Sequence, residues 1–337
     1  MPVSDIPSMS PALRASLDPL LPWLYGRSDV VEVSINGPGD LWIEHACGEY
    51  RRENGAGMDR SWAELLCEHL RVIFHRPFNV DSWPILASQL PGGHRLQAVL
   101  GSNTRSGLVI SVRVQRRKSF ALEDFGLKPG AAALAGGLAT RSSGFDSGHP
   151  VGTYEDLVEV MREGLPVLIS GGTNSGKTSF LNTLLTGVPD SARIIVVEDV
   201  EEVRVGQPNA VGLLADEAQT GTKIGHQHLL KAVLRLNPTI VISGEQQLEN
   251  TFPSYRVLNS GHRGWMSTIH ADSPIDALEA WRTNMTMALQ SSAAADAALP
   301  VLVRKLARIV QLSERREVVE IVRPADLDWR QLLGRSG

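Results

Sequence analysis

The chain has 337 residues and a mass of 36.6 kDa, enough for about two domains at roughly 100–200 residues each. Hydrophobic residues make up 42% and charged residues 21%, a balance that supports a packed core and excludes wholesale disorder. The net charge is -4, and residues 1–150 carry 15 basic and 15 acidic side chains against 18 and 22 in residues 151–337, so neither half is a basic nucleic-acid-binding domain by charge. No apolar run approaches the ~20 residues of a membrane span. Met1 to Ser16 lacks a basic segment followed by an apolar one, and we expect no secretory signal. The two cysteines, Cys47 and Cys67, have no metal or redox spacing and fit a reducing compartment. The expectation is a soluble cytoplasmic protein of two domains.

In chain order, the proline-punctuated start to Leu24 predicts a short helix with a loose lead-in. Val30 to Ile35 alternates as a strand, Asn36-Gly37-Pro38-Gly39-Asp40 turns, and Leu41 to Glu44 returns, which predicts a hairpin. Asp59 to Phe74 has helical apolar spacing, with Asp59 or Ser61 as its cap. Leu96 to Leu100 and Leu108 to Arg113 read as two strands. The first part is therefore a mixed α+β domain. Residues 126–150 are rich in Gly, Ala and Ser; Ala131 to Ala139 fits a helix and Arg141 to Pro150 a linker. We place the division at 150/151. From Tyr154 the pattern is helix, strand, helix, strand: Leu157–Glu163, Pro166–Ser170, Ser179–Thr186, Ile194–Val197 and Ile240–Ser243. Short apolar strands separated by helices predict a parallel sheet covered on both faces.

Gly171-Gly172-Thr173-Asn174-Ser175-Gly176-Lys177-Thr178 fits the phosphate-loop pattern G-x-x-x-x-G-K-[ST] in full. It follows a strand and opens a helix that continues with Ser179, as the mechanism needs. Gly171 and Gly176 let the backbone wrap a phosphate chain, whose oxygens meet loop N–H groups and the helix N-terminus. Lys177 reaches the β- and γ-phosphates, and the Thr178 hydroxyl suits Mg²⁺. Downstream, the strand 194–197 ends in Glu198-Asp199, followed by Glu201-Glu202. Carboxylates there face the ligand crevice of a parallel sheet, suited to holding Mg²⁺ partly through water or to orienting the attacking water. The strand Ile240–Ser243 leads into Gly244-Glu245, a Walker B element with glycine where many such proteins have aspartate. Glu245 or Glu198 is the candidate to organise water. His262 and His270 flank an apolar strand, without a third ligand for a metal.

Together these segments resemble the superfamily of hexameric traffic ATPases of type II and type IV secretion and type IV pili, the type IV secretion and conjugation branch above all. The resemblance runs over most of the chain. Walker A matches Gly171–Thr178, and the aspartate box matches Glu198-Asp199-Val200-Glu201-Glu202. Leu234-Arg235-Leu236-Asn237-Pro238 then precedes Walker B at Ile240–Glu245. The histidine box matches Gly261–Ala271, with its Ser-Thr-Ile-His-Ala core intact.

The resemblance implies an α/β chain, with an N-terminal α+β domain (1–150) and a C-terminal RecA-like P-loop NTPase domain (151–337). It implies ATP and Mg²⁺ as ligands, with His270 in the catalytic set beside Lys177, Glu198 and Glu245. It implies a homo-hexamer working with membrane secretion-channel and coupling proteins at the inner face of the inner membrane. N-terminal arginines would reach the nucleotide, Arg113 first and Arg95 next. The basic cluster Arg113, Arg116, Arg117, Lys118 also fits a partner-facing or peripheral membrane patch, or an exposed strand end. Nucleic acid is not expected as a direct ligand. The chain departs from the family pattern in three places: Val200 for threonine, Trp265-Met266 for smaller residues, and Gln247 for the arginine that usually follows Glu245 by two residues. Glutamine cannot replace a guanidinium's charge, so either another arginine such as Arg235 or Arg263 compensates, or turnover is slow.

Overall fold

The computed structural model describes residues 7, 9–115, 120–134, 145–215, 224–261 and 264–333. Arg116, Arg117, Lys118, Ala139, Arg141, His262 and Arg263 lie outside the described residues. Ala131 to Leu134 are not helical, and the rest of the helix expected there also falls outside. The described chain divides into two compact units, the change falling between Gln115 and Phe120. This is well ahead of the 150/151 division expected. The reason is apolar: Phe125 and Leu127 are buried in the core of the second unit, and Phe120, Leu122, Leu134 and Phe145 pack against it.

The first unit runs α1 (Pro11–Leu17), α2 (Leu21–Leu24), β1 (Val30–Ile35), β2 (Asp40–His45), β3 (Tyr50–Asn54), α3 (Arg60–Phe74), β4 (Ile85–Gln89), β5 (Arg95–Leu100) and β6 (Leu108–Arg113). Its described strands form an antiparallel sheet in the order β3-β2-β1-β6-β5-β4. Alternation sets the faces: on β5, Leu96, Ala98 and Leu100 are buried while Arg95 and Gln97 are exposed. The carboxylate of Asp59 accepts from the Trp62 N–H at 2.8 Å and starts α3. Ala63, Leu66, Cys67 and Leu70 are the buried stripe of that helix.

The second unit runs α4 (Tyr154–Arg162), β7 (Val167–Gly171), α5 (Lys177–Leu185), β8 (Ile194–Glu198), β9 (Ala210–Leu214), α6 (His226–Val233), β10 (Ile240–Glu245), α7 (Leu248–Asn259), β11 (Gly264–Ile269), α8 (Pro274–Leu289), α9 (Ser292–Lys305), β12 (Arg308–Leu312) and β13 (Val318–Val322). The sheet order is β13-β12-β7-β11-β10-β8-β9. Strands β7 to β12 are parallel and β13 is antiparallel. Both faces are covered, as the unbroken apolar strands require. Ile169, Val196 and Ile242 pack with Leu157 of α4 and Phe180 of α5 on one side. Leu168, Val197 and Val241 pack with Trp281 of α8 and Leu299 of α9 on the other. Gly264 opens β11 because a Cβ there would lie 2.4 Å from the Gly164 carbonyl oxygen. Among the described residues no helix is long and apolar enough to cross a membrane.

Candidate active site

The strand order decides which motifs meet. β11 lies between β7, which feeds the phosphate loop, and β10, which ends in Glu245. The strands are parallel, so their carboxyl ends share one edge, where ligands of such sheets bind. His270 follows β11 and is therefore placed between Lys177 and Glu245.

The loop itself is strongly constrained. Asn174 and Gly176 have φ of 62° and 85°, the left-handed region open to glycine and tolerated by asparagine. A Cβ on Gly171 would stand 2.5 Å from the Ser175 hydroxyl and 3.0 Å from the Leu312 carbonyl. Ser175 is buried and donates to the Gly172 carbonyl at 2.8 Å. Gly176 caps α5, which begins at Lys177, two residues earlier than expected. Thr173, Asn174 and Gly176 form the arch, and Ser179 sits in the first turn.

Lys177 is buried, and its ammonium donates to the Gly171 and Gly172 carbonyls at 2.9 and 2.8 Å. It also lies 3.2 Å from His270 Nδ1. An ammonium only donates, so Nδ1 accepts and the neutral ring carries its proton on Nε2. That nitrogen is 2.7 Å from Glu245 Oε1. Lys177, His270 and Glu245 thus form one hydrogen-bonded line. The second carboxylate oxygen of Glu245 accepts from the Gln247 amide at 3.4 Å. Gln247 thus meets Glu245 with a neutral amide, where an arginine would bring a charge.

A buried knot fixes the back of this line. Gln246 is buried, and its amide donates to the hydroxyls of Ser267 on β11 at 3.0 Å and Ser254 on α7 at 3.3 Å. Its N–H donates to the Thr268 carbonyl at 2.7 Å. Asn250 on α7 donates to the Glu245 carbonyl at 2.6 Å. Gly244 is the extra residue of a bulge between β10 and β11, a device that re-aims the side chains beyond it. Sequence reasoning missed Asn250 and Ser254, because polar side chains with no motif spacing carry no signal.

The acidic box is arranged differently from the expectation. Glu198 is buried at the end of β8, and its Oε2 accepts from the N–H groups of Glu202 and Val203 at 2.9 and 3.0 Å. It therefore shapes the loop after β8. A Cβ on Gly244 would lie 3.4 Å from the Glu198 Cβ, so an aspartate at 244 would set a second carboxylate beside it. Asp199 lies 3.3 Å from His226 Nε2 on α6. The carboxylate that meets Thr178 is Glu202, which accepts from its hydroxyl at 3.2 Å. Among the described residues no cluster of three His, Cys, Asp or Glu side chains is placed to hold a metal. One hydroxyl and one carboxylate still fit Mg²⁺, which binds through one or two protein oxygens, with phosphates and waters completing the shell.

Burial pushes the Glu198 carboxyl up from 4.5 to about 7, helped by the charges of Glu202 and Glu201 and opposed by its two N–H donors. Between those values the folded chain holds this proton and the unfolded chain does not. Its contribution to stability is therefore full below about pH 4.5 and is lost as pH rises towards 7. Glu198→Gln is expected to remove a decline of about 2–3 kcal/mol over that window. Denaturant titrations with chelator present check it; equal pH slopes for the two proteins refute it.

Arg113 lies exposed at the end of β6 in the first unit, directly opposite Arg95 on β5 and Glu32 on β1. Arg235 follows α6 on the way into β10, at the amino edge of the second unit's sheet and so opposite the phosphate loop. There Arg193 donates to the Leu236 carbonyl at 2.9 Å. Arg235 does not compensate for Gln247.

Comparison with known proteins gives the family. Residues 153–330 match the family described as Type II/IV secretion system protein. The type IV secretion system protein PtlH homolog of Bordetella bronchiseptica is 31% identical over 287 residues, covering 80% of this chain and 82% of that one. Protein VirB11 of Agrobacterium tumefaciens is 30% identical over 284 residues, 79% of each. The solved ATPase DotB of Yersinia pseudotuberculosis superposes with a TM-score of 0.56 at 13% identity, covering 84% of this chain and 71% of that one, a likeness of fold. The chain belongs to the type II/IV secretion system protein family.

Proposed function

We propose that the protein is a cytoplasmic hexameric motor that hydrolyses Mg-ATP to drive a type IV secretion, conjugation or pilus-type machine at the inner face of the membrane. The observation that carries this reading is the line Lys177–His270–Glu245 at the carboxyl edge of the sheet. Lys177 and the loop N–H groups hold the phosphate chain. Thr178 and Glu202 would hold Mg²⁺, which would supply charge neutralisation at the phosphates. Glu245 orients the attacking water and takes its proton, and His270 holds the Glu245 carboxylate in place. Glu198 shapes the loop that presents Glu202. The partnership with membrane channel and coupling proteins belongs to this proposal through the family resemblance.

A second reading is an assembly scaffold gated by nucleotide, in which hydrolysis is vestigial; the neutral Gln247 against Glu245 favours it. Magnesium-dependent phosphate release by the purified chain separates the two, with Lys177→Ala as reference. The motor reading expects steady turnover that Lys177→Ala abolishes. Release no faster than that of Lys177→Ala leaves the scaffold.

A further inference from the structure

The family's arginine after Walker B is glutamine here, and Arg235 stands at the wrong edge of the sheet. Another arginine stands at the right one. β12 pairs in parallel with β7, and Leu312 is opposite Gly171, the first residue of the phosphate loop. The turn that joins β12 to β13 therefore emerges beside that loop. It is closed by the Ser313 N–H donating to the Glu317 carbonyl at 2.9 Å and the Arg316 N–H donating to the Ser313 carbonyl at 3.0 Å.

Arg316 occupies the left-handed position of this turn, with φ of 64°. Turns of this kind favour glycine or asparagine there, and an arginine is disfavoured. Strain of this sort gathers at functional sites. Its stem lies on the phosphate loop: Cγ and Cδ are 3.4 and 3.6 Å from where a Cβ on Gly176 would stand. Among the described residues no carboxylate or carbonyl accepts from its guanidinium. A half-buried arginine thus has its stem seated on the anion-binding loop, and among the described residues its guanidinium has no acceptor.

We infer that Arg316 is a nucleotide-binding residue, whose guanidinium contacts the phosphate chain of a nucleoside di- or triphosphate held by the loop 171–178. A planar fork of five donors matches phosphate oxygens and carries the positive charge that Gln247 lacks. The inference rests on the nucleotide-binding reading above and adds a contact to it. The sequence hid the residue, because Glu314-Arg315-Arg316 reads as an ordinary charged turn 140 positions beyond Gly176.

The test uses the full chain with a fluorescent ADP analogue, and inorganic pyrophosphate as competitor. Arg316→Gly relieves the backbone conformation and removes the guanidinium. It is expected to melt at the wild-type temperature or above, yet to bind the analogue at least tenfold more weakly. Pyrophosphate should displace the analogue from it with the same tenfold loss, and Arg316→Lys, which keeps the charge, should retain most of the affinity. Arg316→Gly binding within twofold of wild type overturns the assignment. So does a loss for the ADP analogue with none for pyrophosphate, which would place the contact on the nucleoside, and so does a lowered melting temperature, which would mark a structural role. Lys177→Ala is measured alongside. If wild type binds no better than Lys177→Ala, the nucleotide-binding reading itself falls; if it does and only Arg316→Gly is silent, this inference alone falls.

Discussion

Glu245→Gln is expected to lower the rate of ATP hydrolysis by about 10²–10⁴-fold, the range of a positioned general base, and to leave ATP affinity near that of wild type. The reason lies in which atoms Glu245 touches. Its carboxylate receives Nε2–H of His270 at 2.7 Å and the Gln247 amide at 3.4 Å; the phosphate loop is gripped by Lys177 instead. An amide at 245 still accepts from His270 through its oxygen but cannot take a proton from water. The loss should therefore fall on kcat and not on KM. His270→Ala is expected to show a smaller loss in kcat, because it removes the positioning donor and leaves the base. Single-turnover phosphate release and equilibrium ATP binding measure the two quantities separately. A Glu245→Gln chain that hydrolyses ATP within tenfold of wild type, while Glu198→Gln does not, would transfer the base assignment to Glu198.

The parts of this site that could be read in advance were those in which chemistry and spacing coincide within a short segment. Gly171 to Thr178 is such a segment: the left-handed φ of Gly176 and the closeness of the Ser175 hydroxyl to Gly171 follow from the loop's own closure. The fold class was legible for the same reason, since runs such as Ile194–Val197 are unbroken because both faces of the sheet are covered. What stayed hidden depends on strand order. Nothing near His270 in the chain says that β11 lies between β7 and β10, yet that placement makes it the link between Lys177 and Glu245. Glu202 was one of four neighbouring acids, and only the fold of the loop after β8 separates it from Glu198. The strand β3 escaped because Tyr50-Arg51-Arg52-Glu53-Asn54 is a polar edge without alternation. The Gly-, Ala- and Ser-rich composition of residues 126–150 put the division at 150/151, and the burial of Phe125 and Leu127 in the second unit moves it ahead of Phe120.

Arg308→Met is expected to cost about 3–5 kcal/mol of stability, the penalty for leaving a buried charge without its partner. Arg308 and Asp156 are both fully buried. The guanidinium Nε donates to Asp156 Oδ2 at 2.8 Å, and Nη2 donates to Oδ1. Nη1 donates to the Ala307 carbonyl at 2.7 Å, and the Phe145 carbonyl lies at 3.4 Å. Ser147 donates to Asp156 Oδ1 at 2.5 Å. The pair thus joins the start of β12, the first turn of α4 and the segment just before it, 152 positions apart in the chain. Asp156→Asn should cost nearly as much, because it leaves the guanidinium as the uncompensated charge. The double variant Arg308→Met/Asp156→Leu removes both charges and should recover most of the loss, since an apolar pair of similar volume has no desolvation penalty to offset. Urea denaturation of the four proteins gives the coupling directly. Single variants that each lose less than 1 kcal/mol, or a double variant that loses the sum of the two, would show that the ion pair does not hold these segments together.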